Sequence, residues 1–423
     1  MNVLIIGNGA REHAFAKKIN MSKHDVDIYV SNANPGILKV AKSVDLDITN
    51  FNAIKDCIVD LKISLVIVGP EIPLINGICD FINNDKLLSN VKVIGPSKAG
   101  SKLEGSKQFA KNFMKKHNIP TASYMCFDKS TLDQGIKFIN NSNPPFVLKA
   151  DGPAAGKGVI IVDTRDEAIF NLKDMLVNLK FGKASQKVII EEFLSGIEMS
   201  CFVLFDGANY KIMPYAKDYK RIGEGDKGLN TGGMGSISPV NFLDKELKDK
   251  IEQEIIKPTI NGIIKEKINY TGFIFIGLIN VDRQPKVIEY NVRMGDPETQ
   301  VVLPRIKNDF MDLLISCSNQ DLDKIDLKID SNYYANVVLA SEGYPEEYKK
   351  GLEISGLNEV EDSIIFHAGT TLDKDKIVTN GGRVLSVVSS SKTMNGALIK
   401  SYKNIDKIDF KGKVFRKDIG FDL

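Results

Sequence analysis

The sequence predicts a multidomain α/β and α+β protein that opens on a doubly wound parallel sheet. Three observations carry this. At 423 residues the chain exceeds one ordinary hydrophobic core. Its first hundred residues alternate apolar runs with amphipathic stretches, the rhythm of β–α–β units. Beyond about residue 103 the texture shifts to longer strands and Gly-rich loops, and the last hundred residues read as a smaller α+β region. The expected domains are therefore 1–102, 103–325 (with a lobe at about 123–191) and 326–423.

In the first domain, Val3–Ile6, Ile28–Val30, Leu65–Val68 and Val91–Ile94 are strand-like, with helices near 11–22, 51–62 and 72–84. Gly69-Pro70 and Gly95-Pro96 stop two of these strands, at the strand ends where such sheets hold ligands. In the second, a helix over 107–117 leads to the strand Phe146–Ala150, a Gly-rich loop, the strand Val159–Val162, a helix and the strand Lys187–Phe193. A long polar loop follows at 218–236, then a helix over 244–268 and adjacent strands at 272–282 and 286–293. Gly381-Gly382 reads as a hairpin tip.

Composition excludes several classes. Hydrophobic residues are 43% and charged residues 26%, proportions that speak against disorder. Lys plus Arg number 56 against 54 Asp plus Glu, well mixed, which leaves no basic patch for nucleic acid or a membrane surface. The apolar run Phe273–Ile279 is far too short to span a bilayer. Five scattered cysteines without Cys-x-x-Cys, and a first strand with no basic leader before it, lead us to expect a reduced, cytoplasmic protein.

Several motifs carry chemistry. Gly7-Asn8-Gly9-Ala10-Arg11-Glu12 joins the first strand to the first helix, where glycines admit an anion to a helix N-terminus. Glu12 replaces the third glycine of a dinucleotide fingerprint, and no acid ends the second strand; a phosphate or phosphosugar site is favoured over a nicotinamide site or a plain turn. Asp151–Gly158 has the wrong spacing for a P-loop and precedes a strand. Its glycines, with Lys149 and Lys157, suit a lid over a triphosphate better than a solvent hairpin. Glu191-Glu192-Phe193 ends a strand whose backbone can read an adenine edge and whose acids can accept from ribose hydroxyls, although paired acids often just face solvent.

The segment Glu289–Gln300 is the richest. On a strand, Glu289, Asn291 and Arg293 share a face. Two hard oxygen ligands suit Mg2+, and an arginine beside them can clamp a carboxylate in two hydrogen bonds. The loop that ends in Asn230-Thr231-Gly232-Gly233-Met234-Gly235 carries Lys220 and Arg221 for phosphate; its alternative is disorder.

A lysine-bearing strand, a Gly-rich lid, an acid-ended hinge and Glu-x-Asn, in that order, resemble the ATP-grasp fold. The strings GNGAREHA (7–14), GPEIPL (69–74), LEGSK (103–107), KADGPAAGKG (149–158), NTGGMG (230–235), EYNVRMGDPETQ (289–300), FHAGT (366–370) and NGGRVL (380–385) resemble the glycinamide ribonucleotide synthetase, or phosphoribosylamine–glycine ligase, family almost end to end. That resemblance implies ATP-grasp central lobes and an ATP-dependent ligase. It would join glycine to 5-phosphoribosylamine through a glycyl phosphate, early in purine synthesis, with ATP and Mg2+ (or Mn2+), as a monomer. It implies phosphate lysines at Lys107 and Lys149, lid residues Gly156, Lys157 and Gly158, and a hinge at Glu191, Glu192 and Phe193 with Glu198 behind it. Glu289 and Asn291 would hold metal, and Arg293 and Gly233 glycine. Gly9, Arg11 and Glu71 would meet the phosphosugar amine, and Arg293 and Lys149 would be catalytic. Pro153 stands where the family pattern leads us to expect leucine, and the acid that many ATP-grasp enzymes place near Leu278 as a further metal ligand is absent here, as in the family it resembles. The rival readings are another ATP-grasp ligase or carboxylase and a non-catalytic nucleotide-binding module.

Overall fold

A computed structural model describes residues 1–154 and 157–423; Ala155 and Gly156, at the middle of the expected lid, lie outside the described residues. Five parallel strands open the chain, β1 (Asn2–Ile6), β2 (Asp27–Ser31), β3 (Lys42–Val44), β4 (Leu65–Val68) and β5 (Lys92–Pro96), in spatial order 5-4-1-2-3. Around them lie α1 (Ala10–Ile19), α2 (Phe51–Asp60), α3 (Glu71–Asn76) and α4 (Ile78–Asn84). Helix α2 forms because Asn50 caps it, accepting from the Ala53 N–H at 3.2 Å, and because Ile54 and Ile58, one turn apart, both face the core. The helix expected over 72–84 is two helices. Gly77, at φ 96°, turns the chain between them.

The next lobe is a separate four-stranded antiparallel sheet of β6 (Tyr124–Asp128), β7 (Phe146–Ala150), β8 (Val159–Val162) and β9 (Lys187–Glu192), ordered 6-9-7-8. The Gly-rich loop joins β7 to β8 as a hairpin. Helices α5 (Lys98–Gly105) and α6 (Lys107–Lys116) lead into this lobe.

The chain then returns to the first sheet and enlarges it. Strands β10 (Ile197–Phe205) and β11 (Tyr210–Ile212) are followed by β12 (Lys217–Asp218), β13 (Arg221–Gly223), β14 (Lys227–Asn230) and β15 (Gly235–Ser238), then by β16 (Tyr270–Val281) and β17 (Gln284–Asn291). β16 pairs with β10 along its length, with β17 as a hairpin, and with β5 at its start, so one nine-stranded sheet crosses the expected domain boundary. Gly95 and Pro96, expected to end β5, are its last residues and make that junction. A Cβ on Gly272 would lie 2.9 Å from the Gly95 nitrogen, so glycine is required there. The sheet is buried on both faces. Leu4, Ile6, Val66, Ile274 and Ile276 serve one apolar cluster, and Val3, Ile5, Leu65, Phe273 and Phe275 the other.

The segment expected as a polar loop at 218–236 is instead ordered. β13 and β14 form a hairpin, while β12 and β15 belong to the C-terminal sheet with β18 (Tyr333–Ser341), β19 (Ser363–His367) and β22 (Arg383–Ser391). The intervening β20 (Thr370–Asp373) and β21 (Lys376–Thr379) pair with each other. Gly381-Gly382 is therefore no hairpin tip; Gly381 passes directly against the backbone of Gly369. The helix expected over 244–268 ends at Lys265 and contains a π turn at Glu252–Ile256. No helix among the described residues is long and apolar enough to cross a membrane.

The first and last parts of the chain meet at two buried histidines. His13 Nδ1 accepts from the His367 N–H at 2.9 Å, and Asn34 donates to the His367 carbonyl at 2.8 Å. Burial, with His367, Lys17 and Lys39 nearby, lowers the His13 imidazole to about 3, and burial lowers His367 to about 4. Both values fall below the ordinary 6.5, so below that pH the unfolded chain takes up protons that the folded chain refuses. The stability they permit is complete above 6.5 and is lost as pH falls, by up to about 1.4 kcal/mol per pH unit for each ring. The melting temperature should drop between pH 7 and pH 5, and the double variant His13→Gln, His367→Gln should show a flatter profile; equal slopes would contradict this.

Candidate active site

A cleft of about 790 Å3 opens between the nine-stranded sheet, the four-stranded lobe and the β13–β14 hairpin, with the C-terminal sheet at one end. Lys107, Lys149 and Gly158 border it, as do Glu289, Asn291 and Arg293, so the two richest motifs face one space.

The lobe side is cationic. Asp151, just past β7, accepts from the Gln108 N–H at 2.7 Å and from Ser106 Oγ at 3.0 Å, which fixes the start of α6 against the end of β7. Lys107 and Lys111, one helical turn apart, then point where Lys149 points. Glu191 lies between two of these amines, 2.8 Å from Lys149 Nζ and 3.2 Å from Lys111 Nζ. Burial pulls the Lys107 ammonium down, with Glu289 opposing, and pulls Lys111 down to about 8 against the attraction of Glu191. Two buried amines and the half-buried Lys107, with one acid between the buried pair, leave a surplus of positive charge, which a polyphosphate would neutralise.

The opposite wall carries oxygen donors. In β17, Gly277 of β16 faces Glu289 and Phe275 faces Asn291. The Glu289 carboxylate has no hydrogen bond or ion pair among the described residues, although its field reaches Lys107 and Lys220. A free carboxylate and an amide oxygen on one strand face are a donor set that fits Mg2+ or Mn2+. Arg293 is not on the strand, which ends at Asn291; the chain bends there and the guanidinium folds back. Its Nη2 donates to Glu104 Oε1 at 2.8 Å and to Asn291 Oδ1 at 3.0 Å, Nη1 donates to the Met294 carbonyl at 3.2 Å, and buried Nε makes no hydrogen bond, with Glu71 Oε2 4.0 Å away. Much of the fork is thus already engaged by the protein.

Other expected residues fall variously. Arg11, Glu71 and Glu198 border the cleft, with Glu198 held 2.7 Å from Lys220. Glu191 borders it too, but its carboxylate is bound to lysines and is not open to ribose hydroxyls. Glu192 points to the other face, accepting from the Ser123 N–H, and Phe193 is exposed; neither these two nor Lys157 line the cleft. Gly156 lies outside the described residues. Gly9 is also off the wall. Its N–H donates to Glu12 Oε2 at 2.7 Å, so the anion position of the Gly-rich loop is filled by the chain's own carboxylate. Gly233, at φ 115°, packs on Pro297. Residues that motif spacing did not single out complete the wall: Glu104, Lys111, Asp218, Glu298 and, from the C-terminal region, Tyr344 and Arg383. Lys111 was findable from its helical spacing to Lys107, whereas Tyr344, in the turn after β18, and Arg383, at the start of β22, come from far along the chain.

Family profiles described as the N domain, the ATP-grasp (A) domain and the C domain of phosphoribosylglycinamide synthetase match residues 1–104, 105–299 and 334–422. The chain belongs to the phosphoribosylglycinamide synthetase family. It is 42% identical to a phosphoribosylamine–glycine ligase of Haemophilus influenzae over 100% of this chain and 98% of that one. A crystal structure of phosphoribosylamine–glycine ligase from Thermotoga maritima superposes with a TM-score of 0.85 at 34% identity, covering 99% of this chain and 100% of the other. A biotin carboxylase from Campylobacter jejuni shares the fold at 15% identity and a TM-score of 0.73, over 99% and 93% of the two chains. The phosphoribosylglycinamide synthetase assignment agrees with the ATP-grasp architecture of the central region.

Glu191 bears directly on the lysine cluster. Glu191→Gln leaves Lys111 and Lys149 buried without their anion and should cost about 3–5 kcal/mol, read as a lower melting temperature that Mg-ATP partly restores. An unchanged melting temperature would contradict the pairing.

Proposed function

We propose that this chain joins glycine to 5-phosphoribosylamine at the expense of ATP, giving glycinamide ribonucleotide, ADP and phosphate in de novo purine synthesis. The observation that carries this is the meeting, in one cleft, of Lys107, Lys111 and Lys149 with Glu289 and Asn291, in a chain whose full-length relatives bear that ligase name. Its proposed working units are 1–102, 103–325 and 326–423, acting as a cytoplasmic monomer on small molecules and not on nucleic acid or membrane.

The chemistry needs no protein nucleophile. A carboxylate oxygen of glycine attacks the γ-phosphorus of ATP, ADP leaves, and the amine of phosphoribosylamine attacks the acyl carbon of glycyl phosphate. That nitrogen loses a proton, and phosphate leaves with the oxygen it received. Lys107, Lys111 and Lys149 hold and neutralise the phosphates, a positioning role that accounts for most of the catalysis of phosphoryl transfer. Glu289 and Asn291 are the residues that would hold Mg2+ or Mn2+, which when bound neutralises phosphate charge. Arg293 braces Asn291 and directs its remaining donor toward the Glu71 side of the cleft, where the carboxylate substrate would sit. Pro153, Ala154 and Gly158 border the cleft and would help cover the phosphates and keep water from the acyl phosphate.

ADP formation should require glycine and phosphoribosylamine together and should not respond to bicarbonate, which separates this reading from a carboxylase; bicarbonate-dependent turnover would overturn it. In the same assay Glu289→Gln should raise the Mg2+ concentration for half-maximal rate by about tenfold or more while the fold persists. An unchanged Mg2+ requirement would remove Glu289 from the site.

A further inference from the structure

Glycine enters such a cleft as a zwitterion, and the ligase reading leaves its ammonium group without a partner. On the wall beside Arg293 stand two acids outside that reading. Asp218, the last residue of β12, borders the cleft at only 9% exposure, and Glu298 borders it at 3%. The cations nearest Asp218 are already engaged, Lys217 with Asp422 at 3.1 Å and Lys220 with Glu198 at 2.7 Å. Among the described residues the Asp218 carboxylate makes no ion pair and no hydrogen bond to another residue's side chain. Glu298 is near enough to feel the Asp218 charge; its Oε1 accepts from Ser200 Oγ at 3.0 Å, and its field also reaches Arg293. A carboxylate this buried, unpaired and next to a second acid is costly unless a cation completes it.

We propose that Asp218, backed by Glu298, receives the ammonium group of glycine and selects an α-amino acid over other small carboxylates; this rests on the ligase reading above. Burial pushes Asp218 upward, with Glu198 adding and Lys220 and Lys217 opposing, and burial with the neighbouring Asp218 charge pushes Glu298 up to about 8. A primary ammonium suits the site better than a metal ion. One Glu298 oxygen is taken by Ser200, and the charges of Lys220 and Lys217 already act on Asp218, whereas a divalent ion needs several free oxygens. It also suits glycine better than the aminosugar, because glycine's nitrogen stays charged throughout the reaction, while the aminosugar nitrogen must be neutral to attack.

The test compares glycine with glycolate, in which a hydroxyl replaces the ammonium, as the carboxylate substrate in ADP formation by the full-length chain. The wild type should prefer glycine strongly. Asp218→Asn should lower kcat/KM for glycine by about 30-fold or more, the usual effect of removing one partner of a buried charge pair. Its rate with glycolate, KM for phosphoribosylamine and Mg2+ requirement should stay near wild type. Equal use of glycine and glycolate by the wild type would overturn the assignment without need of a variant. Parallel losses with both carboxylates, or a defect confined to the aminosugar or to Mg2+, would do the same. Absence of any glycine-dependent turnover in the wild type would overturn the ligase reading and this inference together.

Discussion

Everything functional in this molecule hangs from the burial of β16. Its apolar run lies at the centre of a sheet covered on both faces, so it cannot shift register without exposing one cluster or the other. Three partners are thereby placed at once: β5 carries the first domain, β10 carries Glu198 and Ser200, and β17 carries Glu289 and Asn291. Gly277 is part of this placement, because a Cβ there would press within 3.3 Å of the Glu289 side chain. The bulge at Gly277/Leu278 leaves Ile288 unpaired just before the two oxygen donors, re-aiming the strand where it meets the cleft.

Around that strand the cleft is sorted by charge. The lobe side holds lysines in excess over acids, and the sheet side holds acids in excess over free cations. Each half is strained on its own, since buried like charges repel and lack water. The strain has the sense expected of a site completed by its ligands: polyphosphate for the lysines, metal and ammonium for the acids. Where the protein supplies its own counter-charge, as with Glu191 between two lysines, Glu104 on Arg293 and Glu12 in the first Gly-rich loop, the group is held in place and is less free for a ligand.

How far this was legible in the sequence follows from the range of the interactions involved. The β–α alternation of the first domain, the two strands flanking the 151–158 segment and the Glu289/Asn291 strand face depend on local periodicity, and these stand as read. The strand Lys42–Val44 has only three residues and no apolar run to mark it. The 218–236 segment looked like a loop because its strands are short and polar, and their order comes from partners such as β18, about a hundred positions away. Period two extrapolated past Asn291 puts Arg293 on the strand, whereas the strand ends at Asn291 and the chain bends at Val292-Arg293. Glu12, read as a missing glycine, proves to be an internal anion, and only the fold brings Gly69 close enough to show it.

The central claim is that glycine's carboxylate oxygen attacks phosphorus and that the aminosugar then expels phosphate. Glycine labelled with 18O in its carboxylate tests this directly, with the released phosphate examined by 31P NMR. One labelled oxygen should appear in each phosphate formed. Phosphate without the label, released in step with product, would contradict the acyl phosphate route.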